Sequence, residues 1–440
     1  MRIHIIFVLF CLTSFVYAQN NNPHFVTVNT EYNVPYSIDN RGKYLDGWGE
    51  LTPIIMTYVS NDGTVSVCGL DSETKQTFIY EYTKDLQYIK TLAFQNEFDK
   101  LGAFVKDDEG NYYIFYAKNT TNSKEKNMAM VKYNTEGEKI KEYKLEAYAT
   151  ESRDGIRKPF YAGACRLELS GSMLAVYFAR EMFSGHQASY GFVLDKETFE
   201  RIDRGQVTNN SYIIKGDKVV PYASHSFNQF ILPVEGGFLY ANQGDVYPRG
   251  FVFEIFMADR GSKELRSFTF KKGSTYQYTF AQLGGLAKTS NGYIFLGAYE
   301  KSTSVSNTTH NDSRNLFVLT FDDNLTSISK PIWITNYANK LTDNAANPKI
   351  ALLGAERYLI MWELMTQNEY KTTYMRIFNE KGEPLGDEVE LKDIRLNFND
   401  VLRYNQTTGN VHWAVNKGSK EIIVYALNPD NAVLREEKEK

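Results

Sequence analysis

The stretch YVSNDGTVSVCGLDSETKQTFIYEYTKDLQYIKTLAF, residues 58–94, contains four strand-like runs separated by short polar turns. The stretch AFVKDDEGNYYIFYAKNTTNSKEKNMAMVKYNTEGEKIKEYKL, residues 103–145, follows the same plan. In both, a strand leads through an Asn-Asp-Gly or Glu-Gly-Asn turn into a second strand that is almost entirely apolar or aromatic. These turn residues tolerate a positive φ, which a tight hairpin requires. The two stretches therefore predict a repeated module of four antiparallel strands.

Further copies of the module occupy residues 286–334 and 350–391. The turn glycines make the spacing visible: Gly63, Gly110, Gly171, Gly236, Gly292 and Gly409, with Ala355 and Glu356 in the same place in one further copy. Successive turns lie about 45 to 65 residues apart. In each copy the second strand is apolar on both sides and the fourth is the most polar. Such a gradient fits a sheet that is buried at its inner strands and exposed at its outer edge.

This pattern resembles the β-propeller superfamily at the level of architecture, over nearly the whole chain after residue 18. The resemblance implies an all-β protein with one propeller of seven four-stranded blades, with six or eight blades and a pair of β-sandwiches as alternatives. The blades are expected to begin near residues 50, 98, 162, 226, 280, 348 and 399. The last copy lacks one strand, so we expect HFVTVN, residues 24–29, to pair with it and close the ring.

The N-terminal segment, residues 1–18, is predicted to be a secretory signal peptide. Arg2 precedes an apolar run over residues 5–16, and this run is too short to cross a bilayer as a helix. No later stretch approaches about 20 apolar residues, so no membrane span is expected. We therefore expect a secreted or extracytoplasmic chain, with the propeller over residues 19–429 and a charged, solvated tail over residues 430–440.

Composition excludes further classes of protein. The chain has 49 Lys and Arg against 53 Asp and Glu, and a net charge of −4 gives no bulk attraction for nucleic acid. Two cysteines follow the signal peptide, Cys68 and Cys165, and we expect buried free thiols, with a disulfide as the alternative. No Cys/His cluster predicts a metal site, and no motif identifies a cofactor. The expected state is a monomer.

Polar residues concentrate in the third and fourth modules at one end of the predicted channel. In a propeller, the loops that lead into the inner strands share a face with the hairpins between second and third strands, and ligands bind there. The expected ligand contacts are Arg157, Arg180, Glu181, His186, His225, Asn228, Gln229, Asp245 and Arg249. Guanidinium and amide groups suit a carboxylate, a sugar hydroxyl or a peptide backbone. The alternative role for the same residues is a network that only joins blades.

No linear catalytic motif occurs in the sequence: there is no Gly-x-Ser-x-Gly elbow, no His-Glu-x-x-His pair and no phosphate-binding loop. The first hypothesis is therefore a non-catalytic propeller that binds a glycan, a peptide or a partner protein near blades 3 and 4. The alternative is a hydrolase or lyase that acts on a carbohydrate or lactone at the same face. Such an enzyme needs two acids, or an acid and a histidine, close together in a closed pocket.

Overall fold

The chain is all-β and forms a seven-bladed β-propeller, as predicted. The computed structural model describes residues 24–32, 34, 55–148, 154–161, 163–203, 212–215, 218–221, 226–244, 250–259, 261–269, 281–301, 313–337, 342–354, 356–367 and 369–431. Each blade is a four-stranded antiparallel sheet, and the blades form a ring. In these ranges no helix has the length and apolar character needed to cross a membrane.

Blades 1 to 3 contain strands β2 to β13. Blade 1 comprises β2 (Met56–Val59), β3 (Val65–Leu70), β4 (Thr77–Tyr82) and β5 (Tyr88–Phe94). Blade 2 comprises β6 (Lys100–Lys106), β7 (Tyr112–Ala117), β8 (Lys126–Tyr133) and β9 (Lys139–Glu146). Blade 3 comprises β10 (Lys158–Pro159), β11 (Cys165–Ser170), β12 (Met173–Glu181) and β13 (Gln187–Asp195). In blade 3 the short β10 pairs with the end of β12.

The remaining strands form blades 4 to 7 and one separate hairpin, β14 (Tyr212–Lys215) with β15 (Lys218–Pro221). Blade 4 comprises β16 (Ser226–Val234), β17 (Gly237–Gly244), β18 (Gly250–Met257) and β19 (Gly261–Thr269). Blade 5 comprises β20 (Gln282–Thr289), β21 (Gly292–Glu300), β22 (Arg314–Asp322) and β23 (Ile332–Trp333). Blade 6 comprises β24 (Asp343–Leu352), β25 (Arg357–Thr366), β26 (Glu369–Asn379) and β27 (Val389–Leu391). Blade 7 comprises β28 (Arg403–Asn405), β29 (Asn410–Asn416), β30 (Glu421–Leu427) and β1 (His24–Asn29).

Burial falls from the inner to the outer strands, as the sequence pattern indicates. The second strands β3, β7, β12, β17 and β21 are buried along their whole length, whereas the outer strands β5 and β9 are largely exposed. The turn glycines that mark the repeat, Gly63 and Gly110 among them, have positive φ values of 89° and 87°. The side chains between blades are aromatic and aliphatic, so packing of neighbouring sheets supplies the core.

The ring closes through the N-terminal strand, which confirms the expectation for residues 24–29. Strand β1 pairs with β30 over six residues, with Val26 opposite Val424. Val26 and Val28 pack against the cluster that joins blades 7 and 1. Beyond β1, the Tyr32 ring stacks on Phe78 of blade 1 at a centroid distance of 4.4 Å. One end of the chain therefore completes blade 7 and holds it to blade 1.

Blade 6 begins earlier than the predicted residue 348, because β24 starts at Asp343 and passes through an Asn347-Pro348 bulge. A proline within an apolar run argues against predicting a strand there from the sequence. A β-bulge, however, is one of the few places where a sheet accepts a proline.

The predicted signal peptide, residues 1–18, lies outside the described residues. Asp430, assigned to the tail, accepts a hydrogen bond from Arg357 of blade 6 at 2.6 Å.

Cys68 and Cys165 are both buried and both free thiols, which agrees with the first of the two expectations for them. Burial raises the pKa of each thiol well above its usual range. A buried thiol with a raised pKa carries little thiolate and is chemically inert. The two cysteines therefore act as packing residues in the cluster around blades 1 to 3.

Candidate functional site

The inner strands of three neighbouring blades carry a β-bulge near the end at which they enter the ring. We call this end of the propeller the upper face and the opposite end the lower face. The bulges lie between Phe227 and Phe230 in β16, Leu283 and Gly285 in β20, and Ala346 and Lys349 in β24. A bulge places an extra residue on one strand and turns its side chain out of the regular alternation. In this protein, that change directs polar side chains toward the channel.

The backbone of two bulges lies in the left-handed region. Asn228 has a φ of 43° and Asn347 a φ of 51°. Asparagine adopts this region more readily than other residues with a side chain. The residue type therefore allows the bulge and also places a carboxamide at the channel wall.

A cavity lies in the channel beside these bulges. Blades 3 to 7 all contribute to its wall. Its carboxamide side chains are Asn228, Gln229, Gln282, Asn347 and Asn399. Its charged side chains are Arg166, Lys349 and Asp400. Among the described residues that line the cavity there is one carboxylate and no histidine.

The two cations of the wall donate to backbone carbonyl groups. Arg166 of blade 3 donates through Nε to the Gln229 oxygen at 3.1 Å and through Nη1 to the Asn399 oxygen. Lys349 of blade 6 donates through Nζ to the Phe398 and Asp400 oxygens at 2.8 and 2.7 Å. These bonds connect blade 3 to blades 4 and 7, and blade 6 to blade 7. The cations therefore fix the shape of the wall and leave their positive charge beside the cavity.

An ion pair spans the channel below the cavity. Glu168 follows Arg166 by two residues on β11, so it points the same way but lies nearer the lower face. Its Oε1 accepts from Arg403 Nη2 of blade 7 at 2.9 Å, and Arg403 Nε donates to the Thr57 oxygen of blade 1 at 3.2 Å. Asp400 beside it is buried, and burial raises the pKa of its carboxyl group. We call this pair the floor pair, because it crosses the channel on the lower-face side of the cavity.

The floor gives a testable stability difference. Arg403→Met removes the cation that faces Glu168 and Asp400, two carboxyl groups that are only 8% and 5% exposed. Leaving buried carboxylates without a cation is costly, and because Arg403 is partly exposed we expect a loss of about 2 kcal/mol. The matched control is Arg357→Met, which breaks the exposed pair with Asp430 and is expected to cost less than about 1 kcal/mol. Urea unfolding at pH 7 measures the unfolding free energy of both variants. Equal losses would mean that the floor pair stabilises the protein no more than the exposed pair does.

Hydrogen bonds orient the carboxamides of the wall. The Asn347 backbone N–H donates to Gln282 Oε1 at 2.7 Å, and Asn347 Nδ2 donates to the Leu396 oxygen at 2.9 Å. Gln229, only 1% exposed, donates through Nε2 to Ser189 Oγ of blade 3 at 3.0 Å. Asn347 is 4% exposed, and its Oδ1 has no hydrogen-bond partner among the described residues.

Two of the predicted site residues, Asn228 and Gln229, line this cavity. Asn228 is half-buried, and both residues lie at the upper end of β16. The neighbouring predictions His225, Asp245 and Arg249 lie outside the described residues. The structure therefore places the described part of the blade 4 prediction at the channel.

The blade 3 predictions lie at the upper ends of β12 and its neighbours, away from the cavity wall. Arg157 Nε donates to Glu181 Oε1 at 2.9 Å, and Lys158 Nζ lies 3.2 Å from the same oxygen. Arg180 is fully buried, and it donates a hydrogen bond to the Gly155 oxygen at 2.6 Å. Its guanidinium group lies over the ring of Tyr190, and burial lowers its pKa to about 10. His186 is exposed in the hairpin between β12 and β13. A ligand role for Arg157, Arg180, Glu181 and His186 stays a prediction.

Sequence reasoning missed most of the charged wall, including Arg166, Lys349 and Asp400. Two signals were present in the sequence. Asn347-Pro348 and Gly284-Gly285 interrupt runs that otherwise read as inner strands, at the position where Asn228-Gln229 interrupts β16. An interruption that recurs at one position in successive modules indicates a bulge that faces the channel.

A group of acids also lies on the lower face. Carboxylate oxygens of Asp107, Glu109 and Glu197 come within 4.8 Å of one another. Lysines flank them: Lys132 Nζ lies 2.7 Å from Glu197 and Lys196 Nζ lies 3.7 Å from Glu109. The lysines neutralise the carboxylates, so the group acts as an ion-pair network between blades 2 and 3.

Comparison with known proteins assigns no family and no activity to the chain. No protein-family model matches the chain, and no curated protein matches it in sequence. Among solved structures it is similar to the β-propeller domain of the Trilobed protease from Pyrococcus furiosus, with 13% identity, 78% of this chain and 84% of that chain covered, and a TM-score of 0.39. It is also similar to a prolyl endopeptidase (10% identity, 90% and 49% covered, TM-score 0.46) and to the polysaccharide lyase Uly1 (10% identity, 74% and 77% covered, TM-score 0.42). At these values the activities of those proteins are not transferred, and the fold assignment rests on the strand pairing of the chain itself.

Proposed function

We propose that the chain is a secreted, non-catalytic binding protein that holds the polar end of a glycan, peptide or protein ligand in the upper channel cavity. The observation that carries this proposal is the wall of carboxamides contributed by the bulged strands of three successive blades. Secretion rests on the predicted signal peptide over residues 1–18. The proposed site includes Asn228 and Gln229 from the sequence prediction, and its wall takes residues from blades 3 to 7.

The chemistry of the wall supports recognition of hydroxyl and amide groups. A carboxamide offers a donor and an acceptor, and a sugar hydroxyl or a peptide group offers both in return. Phe230 and Leu283 supply apolar surface between the polar groups, a mixture that small-molecule sites share. The bulges hold the carboxamides on β-strands of a closed ring, so the wall needs little rearrangement to bind.

The wall gives less support to hydrolysis or lysis. Asp400 is the one carboxylate among the described lining residues, and its Oδ2 accepts from the Thr57 backbone N–H at 2.7 Å. Glycoside hydrolysis commonly uses two carboxyl groups on opposite sides of the scissile bond. Assay of product release from any carbohydrate that binds would separate the two functions, because a binding protein leaves its ligand intact.

Asn228→Gly tests the site with little disturbance of the backbone. Glycine accepts the positive φ of this position, so the change removes the carboxamide without strain. We expect at least a tenfold loss of affinity for ligands found in a panel of oligosaccharides and peptides, with the free energy of unfolding unchanged within about 1 kcal/mol. Isothermal titration calorimetry measures the affinity and urea unfolding measures the stability.

The matched control is Glu356→Gly, which also has a positive φ, of 63°, but lies exposed in a turn on the lower face. It is expected to bind as the unaltered chain does. If Asn228→Gly retains full affinity for every ligand of the panel, the ligand contacts another surface and the proposed site is wrong.

A further inference from the structure

A buried histidine lies in blade 7, the blade that β1 completes. His412 of β29 has no exposed surface, and neither ring nitrogen has a hydrogen-bond partner among the described residues. Burial is the main reason why the pKa of His412 is lowered to about 4. A backbone group of Tyr425 favours the proton, but its effect is smaller than that of burial. The folded chain therefore keeps His412 neutral at pH values at which an exposed histidine takes up a proton.

His412 lies in one row with the histidine of β1, His24. Ala426 of β30 pairs with His412 on one side and with His24 on the other. Residues that lie opposite each other on neighbouring strands point to the same side of a sheet. That side faces blade 1, because Ala426 belongs to the cluster that joins blades 7 and 1. In acid both ends of the row become cations, and their repulsion adds to the cost of burial.

Within blade 7, the neighbouring strands offer no acceptor for a proton on His412. On β28 the residue opposite it is Arg403, a cation that pairs with Glu168 across the channel. On β30 the residue opposite it is Ala426. Protonation therefore adds a buried positive charge to a strand whose neighbour already carries one.

Blade 1, on the other side of the interface, offers no carboxylate to that charge among its described residues. Asp62 is exposed in the turn after β2, and Glu81 of β4 pairs with Lys106 of blade 2. Burial raises the pKa of the remaining titratable groups on β2, β3 and β4, which are therefore neutral in acid: Tyr58, Cys68, Tyr80 and Tyr82. A protonated His412 would be a buried cation without a counter-charge, which is costly.

We propose that acid opens the ring at blade 7, because protonation of His412 and His24 separates this blade from blade 1 while the other blades stay folded. In an opened blade His412 has the ordinary histidine pKa of 6.5, whereas the closed blade resists the proton to about pH 4. Opening therefore becomes more favourable as the pH falls through that window, and at neutral pH the ring stays closed. This response is independent of the ligand that the cavity binds.

Amide hydrogen exchange, measured by mass spectrometry on peptides of blades 7 and 2, tests the proposal on the chain from residue 19 onward. The variant is His412→Leu, which has no site for the proton. For blade 7 we expect the ratio of the exchange rates, unaltered chain to variant, to be at least tenfold larger at pH 4.5 than at pH 7.5. For blade 2 the ratio should be the same at both pH values. Comparing the two chains at one pH cancels the pH dependence of the exchange chemistry itself.

Two further histidine variants refine the test. His24→Gln removes the repulsion but leaves the buried site, so it should reduce the acid response less than His412→Leu does. His186→Gln is the control, since His186 is exposed in a hairpin of blade 3, and it should leave the acid response unchanged.

The proposal is wrong if the blade 7 ratio is the same at pH 4.5 and pH 7.5, because His412 then does not govern the response to acid. It is also wrong if the ratios for blades 2 and 7 rise together, because acid then unfolds the whole chain. Should His412→Leu not fold at pH 7.5, judged by circular dichroism, His412→Gln takes its place in the same comparison.

Discussion

A chain that begins at Asn33, and so lacks β1, is expected to lose on the order of 5 kcal/mol of unfolding free energy relative to a chain that begins at Pro23. The shorter chain loses the six-residue pairing with β30 and the half-buried Val26 and Val28. It also loses the Thr30 hydroxyl, which lies 2.7 Å from the Tyr80 hydroxyl. Urea unfolding of the two chains measures the difference.

The loss of β1 has a second expected consequence, at the newly exposed edge. Without β1, strand β30 presents unpaired backbone groups and Ile423 to solvent. An exposed edge of that kind pairs with other chains. Size-exclusion chromatography should therefore show oligomers for the chain from Asn33 and a single smaller species for the chain from Pro23. Equal stability of the two chains would show that the ring does not need this strand.

Glu254→Gln is expected to stabilise the protein, with a gain that grows as the pH rises. Glu254 is 6% exposed in β18 beside Tyr177 and Tyr240, and burial raises its pKa to about 8. The unfolded chain loses this proton near pH 4.5, whereas the folded chain keeps it to about pH 8. Stability therefore falls as the pH rises through that window. Glutamine has no proton to lose, so we expect a gain on the order of 3 kcal/mol above pH 8 and almost none below pH 4.5.

Urea unfolding at pH 5 and pH 9, compared between variant and unaltered chain, checks this expectation because other titrations cancel in the difference. The matched control is Glu235→Gln, an exposed acid in a turn of the same blade. It is expected to change the stability by less than about 0.5 kcal/mol at either pH. A gain that is the same at pH 5 and pH 9 would mean that Glu254 does not titrate within this range.

The fold could be read from the sequence because its signals are local and repeated. Turn residues such as Gly63 and Gly110 need a positive φ, and the apolar strands that follow them need two covered faces. Seven repetitions of the same local conditions leave few arrangements other than a ring. The strand exchange of residues 24–29 followed from counting strands, since one module had three where the others had four.

The cavity could be read only in part, because its wall depends on contacts between distant segments. Asn228 and Gln229 were identifiable as polar residues at the start of an apolar strand. Arg166 was not identifiable, because polar and apolar residues alternate along β11 as in any half-buried strand. Its role depends on the Asn399 oxygen, 233 residues away in the chain. Arg180 shows the opposite case: a charged residue at a strand end reads as exposed, but the structure buries it completely against Tyr190.

The pair of Glu168 and Arg403 crosses the channel, so we expect it to prevent a long polymer from passing through the ring. Under the proposed binding function, only the terminus or a branch tip of a polysaccharide or peptide would then reach the amides. Binding capacity should then scale with the number of chain ends in a sample and stay nearly constant when the chains are lengthened. A fragmented polymer would compete better, weight for weight, than the intact one.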